Sequence, residues 1–351
     1  MNFLLAGYFG FNNAGDELIL SSMIENLRSR FPCPEISVLS NTPELARSRY
    51  SIRAYNRWNL RDIYHSIKQC SIIIFSGGLY QDTTGSMSLY YYLGLILTAK
   101  ILKKKIYLCA VDFNPLKHRI NYFILRVILN LADKITVRTR VSHELLEKTA
   151  GFKHMDIVEI TADTVFTGKN TNCADKTVPG KYIVGLILRA RKDSCAGIDS
   201  TVFSGIVDNV NLLVHPDKCE LLFIPFQPAV DAGFCESISG RIPGSRVVYW
   251  ENPDELSGAI AQVNFLISER LHGLILGMLY NKPLLAVSTD TKLKGFFDEL
   301  GGIVIPELVN LSDHVIEYLR KQQDYKINQS KISGLKQRSD RNYKIITEEF
   351  V

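Results

Sequence analysis

Short aliphatic runs recur along this chain, each followed by a longer stretch in which apolar residues return at every third or fourth position. The first pattern suits a strand buried on both faces and the second an amphipathic helix, so their alternation predicts parallel sheets wrapped by helices. Strands are expected near residues 2–7, 35–39, 70–75, 105–110 and 134–138, with helices over 16–31, 86–103 and 117–131 between and after them. Leu20, Ile24 and Leu27 share one face of the first helix. The pattern lapses in TGKNTNCADKTVPGK, a polar stretch with the composition of a linker. It then resumes, with strands near 181–188, 220–225, 246–249, 263–268 and 284–287. Asn252-Pro253-Asp254-Glu255 announces one helix, an N-cap followed by proline at the first helical position and early carboxylates.

This alternation reads as an α/β protein of two doubly wound, Rossmann-like domains. The first covers residues 1–166, a linker covers 167–180, the second domain covers 181–320, and a charged helical tail, 321–351, packs back across the domains. Open α/β sheets bind ligands at the carboxyl ends of their strands, so the chemistry is expected in a cleft facing both sets of ends.

Composition narrows the picture. With 351 residues, 46% hydrophobic and 22% charged, the chain can bury ample apolar surface in two domains. A net charge of +5 spread along the chain allows an acidic ligand or surface but gives nucleic-acid binding little support. The seven cysteines form no CxxC pair, which fits a reducing cytoplasm. The opening apolar stretch runs into a glycine turn rather than a cleavage site. The greasiest stretch, 87–102, contains Lys100 and falls short of the roughly 20 residues of a spanning helix, so none is expected.

Candidate chemistry sits at the strand ends. GYFGFNNAGDELIL, residues 7–20, leads from the first strand into a helix, but Gly7, Gly10 and Gly15 match neither GxGxxG nor a P-loop. Asp16 would repel a phosphate there, so the loop, Gly10 and Asn13 included, is expected to hold a neutral polar group such as sugar hydroxyls. Asp16 would then serve as hydrogen-bond acceptor or base, although Asp16 and Glu17 would equally complement the helix dipole, and spacing leaves both roles open. After the Ile72–Phe75 run, Gly77 and Gly78 permit a sharp turn and Gln81 and Asp82 offer polar groups, either to a ligand or as a cap for the next helix. In NFLISERLHGLILG, Arg270 and His272 stand where a strand gives way to a helix. A helix start disfavours added positive charge, so two basic groups there imply a bound anion. Lys292 and Lys294 follow the next strand, one placed to reach a phosphate and the other on a solvated face; Arg138, Arg189 and Asp231 also follow strands.

The segments GYFGFNNAGDELIL, GGLYQD, ITVRTRVSHELL, TADTVF, IPFQPAVD, SERLHGLI and STDTKLKGF stand in an order that resembles the polysaccharide pyruvyl transferase family, in particular its bacterial cell-wall branch, across residues 2–300. The resemblance implies a GT-B-like arrangement of the two domains, phosphoenolpyruvate as co-substrate, and no metal or other cofactor. The acceptor it implies is an aminosugar, N-acetylmannosamine of a lipid-linked cell-wall glycan precursor, converted to a 4,6-pyruvate ketal with loss of phosphate. His272 becomes the general acid and Asp16 the base or orienting group for the sugar hydroxyl. Arg270, Lys292 and Arg138 clamp the donor, and Gly10, Asn13, Gly77, Gly78, Gln81 and Asp82 face the acceptor. Three positions depart from the family pattern: Ser76 replaces a glycine, AVDFNP (110–115) replaces a QGIGP segment, and Thr139 replaces an aspartate.

Two other readings share these features: a GT-B glycosyltransferase using a nucleotide sugar, and a non-catalytic glycan-binding relative. The basic, aliphatic segments LKKKIYL and LKHRINYFILRVIL offer a peripheral contact with anionic headgroups, which would put a cytoplasmic protein at the inner face of the cytoplasmic membrane, although such helices also pack against their own sheets.

Overall fold

The computed structural model describes residues 1–82, 85–148, 152, 154–168, 177, 179–190, 200–213, 219–308 and 311–350; most of the expected linker, 167–180, lies outside them. Two compact units emerge. One comprises Met1–Phe11, Asp16–Gly168 and Gly334–Val351, and the other Asn12–Gly15 and Lys169–Ser333.

The first unit is built on a seven-stranded sheet of β1 (Asn2–Ala6), β2 (Glu35–Ser40), β3 (Arg53–Asn56), β4 (Ile72–Ser76), β5 (Lys105–Val111), β6 (Lys134–Val137) and β7 (Val158–Ile160), in the order β3-β2-β1-β4-β5-β6-β7. Every neighbouring pair is parallel. The central strands read as unbroken apolar runs because helices cover both faces, and Leu4, Ile73, Phe75, Leu108 and Ile135 are fully buried. The chain winds outward from β1 through β2 to β3, then returns to β4 and winds the other way. The reversal at β1/β4 leaves a crevice at the carboxyl ends of those two strands.

The second unit repeats the scheme with β8 (Tyr182–Ile187), β9 (Cys219–Phe223), β10 (Ser245–Val247), β11 (Phe265–Ser268), β12 (Leu284–Val287) and β13 (Ile303–Ile305), ordered β10-β9-β8-β11-β12-β13 and again wholly parallel. Its reversal point is β8/β11. Val184, Leu186, Phe203, Leu221, Phe265 and Leu285 form its core.

Three strands carry no periodicity that the sequence would betray: β3, β7 and β13. Each is a short edge strand whose residues are largely only half-buried, so neither a continuous apolar run nor an alternating one develops. The segment Asn12–Gly15 groups with the second unit although it lies between β1 and the first helix, Ala14–Arg30, and the Ala14 amide donates to the Phe226 carbonyl at 2.8 Å.

The last helix, Gln329–Glu349, passes from the second unit to the first at Gly334. A polar side chain fixes it there. Asn342, fully buried, accepts from the hydroxyls of Thr136 (2.7 Å) and Thr161 (2.8 Å) and donates to the Ala162 carbonyl (2.9 Å), while its own carbonyl accepts from Tyr107 (3.0 Å). Removing one member of such a network strands the others without water, so Asn342→Ala should lower stability by about 2–3 kcal/mol, read as a shifted urea midpoint at unchanged slope. An unmoved midpoint would show that the network is not what anchors the helix.

Candidate functional site

In the first unit the crevice is lined by the loop after β1 and the turn after β4. Gly7 has no room for a side chain, because a Cβ would run into the Phe9 ring, and Gly10 adopts φ +78°, a conformation that suits glycine. The Gly10 amide donates to Glu17 at 3.1 Å; the buried Glu17 carboxylate also receives the Tyr50 hydroxyl (2.7 Å) and Arg49 (3.1 Å). Glu17 therefore pins the loop. Asp16, half-buried, lies instead against the turn after β4, its Oδ1 3.5 Å from where a Cβ of Gly77 would stand. Gly77 itself has φ +105°.

Aromatic rings surround this point. Tyr8 stacks on Phe11 with centroids 4.0 Å apart, and burial, aided by the Asp16 charge, raises the Tyr8 pKa above its ordinary value against an opposing pull from Arg57. Burial likewise pushes the Tyr92 hydroxyl up to about 12. Arg57 is buried among the rings of Phe11, Trp58, Tyr91 and Tyr92, 4.5–5.5 Å from their centroids. It donates to the Gly7 carbonyl (2.8 Å) and the Tyr92 hydroxyl (3.2 Å), while its Nε finds no hydrogen-bond partner among the described residues. The negative π faces take the place of a carboxylate. Trp58 is 61% exposed, yet its indole N–H is held by Asn41 at 2.8 Å. Positions 8, 11, 57, 58 and 91 are too scattered for sequence reading to join; the one local hint was the aromatic density of Tyr8, Phe9 and Phe11.

Other expected residues in this unit hold the scaffold. Asp82 accepts from the Lys117 amide (2.8 Å), the His118 amide (3.3 Å) and Asn121 (2.8 Å). Burial alone would raise its pKa, but these bonds outweigh it and hold the carboxyl below its ordinary value. Gln81 is half-buried beside it. Arg138, half-buried, gives Nε to Asp112 (2.7 Å) and Nη1 to Asp163 (2.5 Å), and its Nη2 lies 4.0 Å from a Cβ built on Gly78. Its charge is thus matched twice, by a carboxylate from AVDFNP and one from TADTVF. Two departures from the family pattern meet here, because the Thr139 hydroxyl donates to Asp112 at 3.2 Å. Within the same segment Ala110 adopts φ +49°, with its amide held by the Thr136 hydroxyl at 2.7 Å. That is an unfavourable conformation for a residue with a Cβ.

In the second unit the reversal point carries Arg270 and His272. The helix Leu271–Leu279 starts directly after β11, with Arg270 as its N-cap and Ser268 bonded to the Arg270 amide (3.0 Å) and carbonyl (2.9 Å). Gly273 permits this tight start, since a Cβ there would lie 2.5 Å from the Ser268 hydroxyl and 2.6 Å from Ile187 of β8. The helix thus delivers its positive end to the carboxyl edge of β8 and β11. One Arg270 nitrogen is chelated by both oxygens of fully buried Asp231 (2.7 and 2.9 Å), which also receives the amides of Ala190 (3.1 Å) and Gln227 (3.0 Å); the buried Arg270 Nε has no hydrogen-bond partner among the described residues. The His272 ring abuts Gly15, where a Cβ would collide with it, and Asp16 is the next residue along the chain. Asn13 belongs to this unit and accepts from the Gly15 amide at 3.1 Å. Lys292 opens the helix Thr291–Glu299 after β12, its amide capped by Asp290 at 2.9 Å.

The first unit thus offers an acceptor carboxylate among amides and aromatic faces, and the second a helix start with cationic side chains, a setting for an anion. Solved structures with the same fold include UDP-GlcNAc 2-epimerases and a glycosyltransferase. UDP-GlcNAc 2-epimerase from Neisseria meningitidis, bound to UDP-GlcNAc, is 12% identical, with TM-score 0.64 over 99% of this chain and 100% of that one. The epimerase from Methanocaldococcus jannaschii is 12% identical at TM-score 0.64 over 99% of each chain, and a glycosyltransferase from Rickettsia africae is 12% identical at 0.62 over 99% of each. At such identities the likeness establishes the fold alone, a pair of Rossmann-like units of the GT-B class. No curated protein sequence matches the chain. The profile described as polysaccharide pyruvyl transferase matches residues 13–291, from the loop before Asp16 through the start of the helix that carries Lys292. The chain belongs to the polysaccharide pyruvyl transferase family, transferases of polysaccharide synthesis.

Proposed function

We propose that this enzyme moves the enolpyruvyl group of phosphoenolpyruvate onto a sugar, an N-acetylmannosamine residue of a lipid-linked glycan, and closes it to a 4,6-ketal. The observation that carries the reading is the opening of a single helix at the reversal point of the second sheet with Arg270 and His272, in a chain of this family. Phosphate and carboxylate of the donor are both anions. Arg270, held in orientation by Asp231, and Lys292 from the next strand end would bind them with charge-assisted hydrogen bonds. Arg138 stands near Gly78 with its charge already matched by Asp112 and Asp163, so any part it plays in binding the donor would be shared with these carboxylates.

Chemistry starts with proton transfer from His272 to C3 of the donor, which leaves C2 with oxocarbenium character. A sugar hydroxyl adds to C2 and gives its proton to Asp16. Phosphate departs from the resulting adduct, its negative charge stabilised by the cations and the helix end. A second hydroxyl of the same sugar then adds to C2 and releases its proton with the phosphate. One proton enters at C3 and two leave the hydroxyls, so the step needs no oxidant or other cofactor. The sugar ring is read as lying on the rings of the first unit, with the exposed Trp58 face against its C–H groups and Asp16 at its hydroxyls.

Incubation with phosphoenolpyruvate and a panel of aminosugar glycans should release one phosphate per molecule of ketal product identified by mass. Consumption of UDP-GlcNAc instead, the ligand named for the Neisseria epimerase, would favour glycosyl transfer. His272→Ala should cut turnover about a hundredfold or more with the fold retained by circular dichroism; near-normal phosphate release would remove it as the acid. Trp58→Ala should raise the acceptor KM about tenfold, a loss of about 1.4 kcal/mol, while leaving the KM for phosphoenolpyruvate unchanged. Trp250 is buried, so acceptor quenching of tryptophan fluorescence should come from Trp58 and vanish in that variant; persistent quenching would place the sugar elsewhere.

A further inference from the structure

Two helices of the first unit, Ser86–Ile101 and Arg119–Leu129, lie side by side, tied by Asn121, which accepts from the Tyr90 hydroxyl (2.7 Å) and donates to Ser86 (2.9 Å). Their inner faces, Leu89, Leu93, Ile96, Leu125 and Leu129, are buried in the core. Their outer faces are apolar as well. Met87 is 80% exposed, Ile101 70%, Ile120 58% and Phe123 55%, with Leu97 and Val127 exposed between them. On the second helix Ile120, Phe123 and Val127 fall at i, i+3 and i+7, a continuous stripe turned to solvent.

Cations border the stripe. Lys100, Lys103, Lys117, Arg119 and Arg126 are all exposed, and Arg126 lies 5.7 Å from the Phe123 ring. Residues 86–131 hold seven Lys and Arg against one acid, Asp112, which is buried and bonded to Arg138. Among the described residues no helix is long and apolar enough to cross a membrane.

We propose that the outer face of these two helices docks on an anionic lipid surface, with Ile101, Ile120 and Phe123 entering the acyl boundary and the surrounding Lys and Arg at the phosphate level. An apolar centre ringed by cations with long apolar stems is what such a surface complements. A second copy of the same face would set like charges against each other, which disfavours self-association there. The inference stands apart from the reaction assigned above, because no residue of the face belongs to either reversal point.

The test is flotation of the full chain with vesicles of phosphatidylcholine alone or mixed with phosphatidylglycerol. The protein should float with the anionic vesicles, stay behind with the neutral ones, and release as salt rises. Ile120→Glu with Phe123→Glu should weaken anionic vesicle binding about tenfold or more, while Leu212→Glu, an exposed apolar position in the second unit, should leave it unchanged. Circular dichroism and unchanged phosphate release would show that the double variant still folds and turns over. Failure of the wild-type chain to float would overturn the proposal. So would equal flotation of the double variant, or a concentration-dependent dimer abolished by the same two substitutions. An inactive wild-type enzyme that still floats would count against the reaction alone.

Discussion

A parallel sheet whose chain winds first to one side and then to the other cannot cover its own reversal point, because the two connections leave in opposite directions. This constraint governs both units. At β1/β4 it exposes the loop that bears Asp16 and the Gly77 turn, and at β8/β11 it exposes the helix start with Arg270 and His272. Glycines act where backbone and ring must approach closely: Gly273 brings its helix down on Ser268 and Ile187, and Gly15 gives room to His272.

Charge at these points is held before any ligand arrives. Arg270 is paired with Asp231, Arg138 with Asp112 and Asp163, and Arg57 with four aromatic rings. A largely buried cation without compensation would be costly, so each is fixed in place by the carboxylates or aromatic faces around it. Such pre-orientation would suit the proposed reaction, in which a departing phosphate is stabilised without reorganisation of the site. The departures from the family pattern follow the same logic. Asp112 of the AVDFNP segment supplies a carboxylate to Arg138 and accepts the Thr139 hydroxyl, so the two positions read from the sequence as departures act together.

The apolar, basic face of the helices Ser86–Ile101 and Arg119–Leu129 has a different origin. The helix Ser86–Ile101 is hydrophobic nearly all round, and a helix of that kind in a sheet protein normally buries every face, whereas Arg119–Leu129 is amphipathic, with Arg119 and Arg126 exposed. Here only the inner faces meet the core. The outer ones remain in solvent, bordered by lysines and arginines.

Local pattern alone determined the two rounds of strand and helix alternation and most inner strands, because periodicity and turn chemistry are properties of neighbouring residues. It also singled out Arg270 and His272, since a basic pair at a strand end is visible in one short segment. Tertiary structure alone decided the rest. The edge strands β3, β7 and β13 owe their form to a neighbour rather than to their own sequence. Glu17 and Asp16, equivalent in spacing, are divided by the distant partners Tyr50 and Gly77. The cage around Arg57 and the Asp231 pairing of Arg270 join residues dozens of positions apart, and no local pattern records which of many charged or aromatic side chains will meet once the chain has packed.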